Sequence, residues 1–132
     1  MNISEAAKAS GLSTKTVRYY ADVALVTPSG RSESGYRQYG TNELRKLIFV
    51  RKARAFGFSI DECRELLSLY EDRDRSSRDV KQLALGRIAE IELKMHELKS
   101  LHDELNHLVA ACHGDDRPDC PIIFGLSGQP LR

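Results

Sequence analysis

The 132-residue chain contains no tryptophan and only four prolines, three cysteines and nine glycines. It has no apolar run approaching the ~20 residues needed to cross a bilayer, which excludes a transmembrane helix. The first ten residues, MNISEAAKAS, have neither the basic start nor the apolar stretch of a secretory signal. The expectation is therefore a cytoplasmic protein with no membrane partner. Three cysteines in a reducing compartment are too few for a disulfide framework and read better as ligands, reactive groups or core residues. A net excess of either charge is nearly absent too, since 20 Lys and Arg stand against 19 Asp and Glu for a formal net charge of +1.

That balance hides an asymmetry. Residues 1–57 carry ten Lys and Arg against four Asp and Glu, whereas residues 58–132 carry ten against fifteen. A basic N-terminal half marks the candidate surface for a polyanion. A hydrophobic content of 41% supports a core, but a small one, and chains of this size often gain stability by self-association.

Helix signals open the basic half. Ile3, Ala6 and Ala7 share one side of a short helix, which Gly11 interrupts. Ser13 then caps a second helix over Thr14 to about Asp22, its hydroxyl accepting from the free amides of the first turn. Val17 faces inward, while Thr14, Lys15 and Arg18 project together. Two short helices joined by a Gly-containing turn form a helix-turn-helix. Leu25-Val26-Thr27 and Arg37-Gln38-Tyr39 are β-prone runs around Pro28-Ser29-Gly30-Arg31-Ser32-Glu33-Ser34-Gly35, which predicts a hairpin or wing. Thr41 is expected to cap a helix running to about Ala55, with Gly57 ending it. Ser59 with Glu62 three residues on is a capping box for a helix over Ile60 to Tyr70.

The second half is dominated by a heptad. Steps of four and three from Ala84 visit Ile88, Ile91, Met95, Leu98, His102, Leu105 and Val109, all but His102 apolar. With no proline from Asp79 to Ala111, one helix of roughly 50 Å is possible. It cannot bury its own stripe, so it is read as a dimer seam in which His102 sets register.

The expected fold class is mainly α. Residues 1–76 form a winged helix-turn-helix domain with a two-helix connector, 77–111 a dimerisation helix, and 112–132 a metal-binding loop and tail. Lys15, Arg18, Arg31 and Arg37 supply charge for phosphates or guanine edges, with Thr14 beside them and Tyr20 and Tyr36 as hydroxyl donors. Arg54 is a further candidate phosphate contact, whereas Tyr19 is expected to pack inward.

Past the long helix stand Cys112 and Cys120, with His113 between them and Pro121-Ile122-Ile123-Phe124 after them as an apolar lid. A structural zinc site wants four N or S donors, and this loop offers two thiols and one imidazole. Two thiolates alone suit Cu(I), Ag(I) or Au(I). Cys63, inside the fourth helix, reads as a core thiol.

The stretches ISEAAKASGLSTKTVRYYADVALVTPSGR, GYRQYG and TNELRKLIFVRKARAFGFSIDECRELL, followed by the long helix, resemble the MerR family of transcriptional regulators over almost the whole chain. Ala24 stands where such proteins often carry glycine. The resemblance implies a homodimer whose long helices pair antiparallel, bound to promoter DNA and acting on RNA polymerase by distorting the duplex. CHGDDRPDCPII is similar to the metal loop of the copper-sensing branch, which implies Cys112 and Cys120 as ligands. Ser77 falls where divalent-ion sensors place a third cysteine, and its hydroxyl favours a monovalent ion. The function implied is a Cu(I)-, Ag(I)- or Au(I)-responsive activator of copper-efflux genes, not an enzyme. A sensor of Zn²⁺, Hg²⁺ or an organic ligand is the alternative, and His113 keeps the divalent reading open.

Overall fold

A computed structural model describes residues Met1–Gly128. The last four residues of the expected C-terminal tail, 129–132, lie outside the described residues. Among the described residues the order is α1 (Ile3–Ser10), α2 (Thr14–Asp22), β1 (Gly30–Arg31), β2 (Arg37–Gln38), α3 (Thr41–Ala55), α4 (Ile60–Glu71), α5 (Ser77–Ala111) and α6 (Pro121–Ser127). The expected mainly helical architecture is present. The chain forms two compact units, Met1–Arg87 and Ile88 onward, so the first unit extends beyond the expected 76/77 boundary. Arg75 and Val80 line one small depression with Phe49, Leu66, Leu69 and Tyr70, which shows why the opening turns of α5 belong with α3 and α4.

In the first unit α1 packs on α2 and α3, and α3 packs on α4. Ala6 and Ala7 keep α1 thin enough for close approach, and Val17, Leu47 and Val50 are fully buried between the helices. Each such aliphatic side chain contributes about 1.5–3 kcal/mol by leaving water. Cys63 is also fully buried, as expected of a core thiol, and burial pushes its thiol pKa up.

The caps follow the local chemistry with one exception. Ser13 Oγ accepts from the Thr16 amide at 3.0 Å. Ser59 and Glu62 form the reciprocal box, at 3.1 Å and 2.8 Å. At α3 the cap is Gly40 rather than Thr41, because Glu43 reaches back to accept from the Gly40 amide at 3.0 Å. Thr41 is the first helical residue.

Two expectations about the wing are corrected. Leu25-Val26-Thr27 is not a strand, and β1 instead forms from Gly30 and Arg31, inside the expected loop. Gly30 pairs with Gln38 and Arg31 with Arg37, antiparallel. The reason lies at the end of α2. The Leu25 amide donates back to the Tyr20 carbonyl at 2.8 Å and the Ala24 amide to that of Ala21 at 3.0 Å. This pair of bonds is a Schellman cap. It requires a left-handed residue at Ala24, which has φ 56°, and it takes the Leu25 amide out of reach of any strand ladder. Leu25 and Val26 are therefore core anchors, both buried.

In the second unit α5 continues to Ala111 and α6 follows after the Cys112–Cys120 loop. The expected lid is thus the start of a helix, opened by Pro121 at its first position. Gly125 lets α6 lie on α5: a Cβ there would stand 2.9 Å from Leu108 Cδ1. The heptad residues Ile88, Ile91, Met95, Leu98, Leu105 and Val109 are all exposed in the single chain, and so is His102.

Candidate nucleic-acid interface and thiol pair

The second helix of the helix-turn-helix carries the basic residues outward. Lys15 and Arg18 are exposed on α2 and Thr14 is partly so. A cleft of about 680 Å³ between the start of α1 and the hairpin brings Arg18 together with Arg31, Tyr36 and Arg37, and Asn2 and Ser4 line its other wall. Tyr36 is 71% exposed at the wing. Its position is set by the hairpin turn, in which the Ser32 amide donates to the Tyr36 carbonyl at 2.7 Å and Arg31 Nη1 to the Gly35 carbonyl at 2.9 Å. Arg37 is less free than expected, because its guanidinium lies 3.5 Å from Asp22 Oδ1 and beside the buried Tyr39 ring.

The two adjacent tyrosines exchange their expected roles. Tyr20 is 4% exposed and belongs to the core, whereas Tyr19 is 48% exposed. Tyr20 is three residues after Val17 and so shares its inward face, while Tyr19, two residues after Val17, falls about 200° around the helix on the opposite side. The spacing from Val17 was the available signal. Burial pushes the Tyr20 hydroxyl pKa up, opposed by the positive charge of the nearby Arg54 guanidinium. Arg54 Nη1 donates to the Phe58 carbonyl at 2.8 Å. That side chain therefore braces the α3–α4 turn, leaving only its remaining N–H groups for a phosphate. Arg64, which the sequence reading passed over, donates to the Ala24 and Val23 carbonyls at 2.9 Å each and completes the α2 cap. Its partners lie forty residues away, so no local pattern signals it.

In the second unit Cys112 and Cys120, both partly buried, bring their Sγ atoms to 3.9 Å. Two metal–sulfur bonds of about 2.3 Å each reach across at most about 4.6 Å, so one ion fits between them. The Cys120 thiol is held below its ordinary pKa by the amides of Ile123 and Ile122 in the open first turn of α6, with the Cys112 thiol adding to the effect. Those amides carry the partial positive charge of the helix start and favour the thiolate. Among the described residues no group of three or more His, Cys, Asp or Glu side chains is placed to hold one ion. His113 is thus not grouped with the two thiols among the described residues. Ser77 opens α5, and Cys112 follows its last residue.

The order of elements and the sequence agree with known proteins. The family model for the MerR helix-turn-helix regulatory proteins matches residues 1–69, and that described as MerR, DNA binding matches residues 44–108. The chain belongs to the MerR family. It is a DNA-binding transcription regulator and not an enzyme, and members of the family bind promoter DNA as dimers. It is 53% identical to the heavy metal-dependent transcription regulator 2 of Rhizobium meliloti, over 93% of this chain and 84% of that one. It is 49% identical to the transcriptional regulator CueR of Salmonella typhimurium, over 97% and 93%. Among solved structures, the regulator PbrR691 of Ralstonia metallidurans in complex with lead(II) superposes with a TM-score of 0.80 at 33% identity, covering 96% of this chain and 98% of that one. Among the described residues no helix of this MerR protein is long and apolar enough to cross a membrane.

Proposed function

We propose that this regulator binds a soft monovalent ion, Cu(I), Ag(I) or Au(I), through Cys112 and Cys120 and activates genes of copper efflux by distorting promoter DNA. The observation that carries this reading is the isolated pair of thiols 3.9 Å apart, with no third donor grouped with them among the described residues. Thiolate donors select soft ions. Two thiolates and one monovalent cation leave a net charge of −1, whereas a four-donor site for a divalent ion lacks half its ligands here. A heavy metal-dependent relative at 53% identity supports a metal effector. The lead(II)-bound neighbour keeps a divalent ion as the second reading. That reading needs a third strong donor, and the Ser77 hydroxyl is a poor substitute for a thiolate.

Two copies pair through the exposed α5 stripe, antiparallel, so that Ala84, Ile88, Ile91, Met95, Leu98, Leu105 and Val109 are buried and His102 fixes register. Thr14, Lys15 and Arg18 face the major groove, with Arg31 and Tyr36 on the backbone beside it. Ion binding orders the loop and α6, and this shifts the dimer between two states of different DNA geometry. Such a shift requires the ion to bind one state more tightly than the other, and the deformation energy of the promoter is the quantity it works against. The test is transcription from a target promoter with Cu(I), Ag(I) or Zn²⁺ added under a competing chelator. The expected result is activation by the monovalent ions alone, lost in Cys112→Ser and Cys120→Ser. A normal Cu(I) response in Cys112→Ser would overturn it.

A further inference from the structure

Helix α5 (Ser77–Ala111) begins in the DNA-binding unit and continues past its last residue. Arg87 is the last residue of that unit. Its Nε donates to the Phe56 carbonyl at 2.8 Å. Phe56 is the C-cap of α3, and its carbonyl is one of the acceptors that a helix end leaves without an intrahelical partner. A guanidinium there is favoured by both the hydrogen bond and the negative end of the helix dipole. The next residue, Gly57, has φ 89°, and a Cβ built on it would overlap the Arg87 guanidinium. The turn is thus shaped to let that side chain lie flat on the backbone. The same cation faces the first turn of α4, where the Ser59 amide and hydroxyl, and after them Arg87, hold the Glu62 carboxyl below its ordinary pKa. One side chain of α5 therefore engages the end of α3 and the turn after it, and adds its charge near the start of α4.

We infer that Arg87 is a positioning residue for two-site DNA recognition: it fixes the angle at which α5 leaves the DNA-binding unit and hence the separation of the two recognition helices in the dimer. Arg87 touches no DNA in this role. It acts through the helix it anchors. A dimer with a fixed exit angle tolerates one half-site spacing, while a dimer with a slack exit accommodates several.

The test is a spacing series. A duplex selected by the wild-type protein from a random pool is re-made with one base pair added or removed at its centre. Each such change moves one half-site by about 3.4 Å and about a tenth of a turn. Dissociation constants are measured by fluorescence anisotropy for the wild type, Arg87→Ala and Arg87→Gln, without added metal, so the outcome is independent of the ion proposed above. The wild type is expected to lose about tenfold on either altered duplex, a value within the usual 1–3 kcal/mol for a damaged site. Arg87→Ala is expected to bind the selected duplex about threefold more weakly, with its spacing penalty falling to about threefold or less, the scale of one lost hydrogen bond. Arg87→Gln, which keeps a neutral amide N–H donor group, falls between. A uniform loss at every spacing would mean that Arg87 only stabilises the fold, and an unchanged penalty would mean that it does nothing to the exit angle. Either result overturns the inference. If Arg87→Ala does not yield a folded dimer by circular dichroism and sedimentation, Arg87→Gln carries the same comparison.

Discussion

Ala24→Gly is expected to stabilise this protein, although glycine adds freedom to the unfolded chain. Ala24 is the position where φ is +56° without a glycine to accept it. A left-handed conformation costs an L-residue about 1–2 kcal/mol through contact between its Cβ and the carbonyl oxygen. Glycine removes that contact and loses about 0.5–1 kcal/mol more conformational freedom on folding. The Ala24 methyl is exposed, so no buried apolar area is given up. The two bonds that build the cap are made by backbone amides and the Arg64 bond by the Ala24 carbonyl, so all three survive. The net expectation is a gain of about 0.5–1 kcal/mol, a change of about two- to fivefold in the folding equilibrium. Urea unfolding at one fixed protein concentration measures it, because the midpoint of a dimer depends on concentration. The midpoint should rise with no change in slope. Ala9→Gly, at an exposed position inside α1, serves as the opposite-sign control, with a loss of about 0.5–1 kcal/mol. A fall of the midpoint in both variants would refute the reasoning, since it would show that the strain at Ala24 is smaller than the glycine penalty.

Other outcomes follow from the same geometry. Tyr20→Ala should cost about 3–5 kcal/mol in unfolding experiments because the ring is buried, whereas Tyr19→Ala should leave stability within about 0.5 kcal/mol of wild type. Iodoacetamide at pH 7 should label Cys120 before Cys63, read by mass spectrometry. The α6 amides favour the Cys120 thiolate, while Cys63 is buried with a raised pKa. The Glu62 carboxyl has a folded pKa below its unfolded one, so its contribution is present above the unfolded value and is lost as pH falls through the folded value. Ser59→Ala should therefore raise the Glu62 pKa in an NMR titration and reduce the acid sensitivity of stability in that window. Gly125→Ala should displace α6 from Leu108 and weaken metal binding by the Cys112–Cys120 pair without changing binding to DNA, measured by chelator competition and anisotropy.

The sequence alone determined what local chemistry and periodicity control. The Ser13 and Ser59 caps, the limits of α2, and the long helix with its unburied heptad stripe depend on residues a few positions apart. The basic set around Arg18 and Arg31 and the thiol pair were legible for the same reason. The tertiary structure decided what depends on residues distant in the chain. It turned Tyr20 inward and Tyr19 outward, although the inward phase of Val17 already contained that answer. It also moved the first strand to Gly30-Arg31, because the end of α2 captures the Leu25 amide. It committed Arg54 to the Phe58 carbonyl and Arg37 to Asp22. Arg64 and Arg87 acquired roles that no window of sequence contains, because each caps a helix end forty or thirty residues away. A long cationic side chain satisfies whichever open carbonyls the packing brings within reach, and only the folded chain determines which those are.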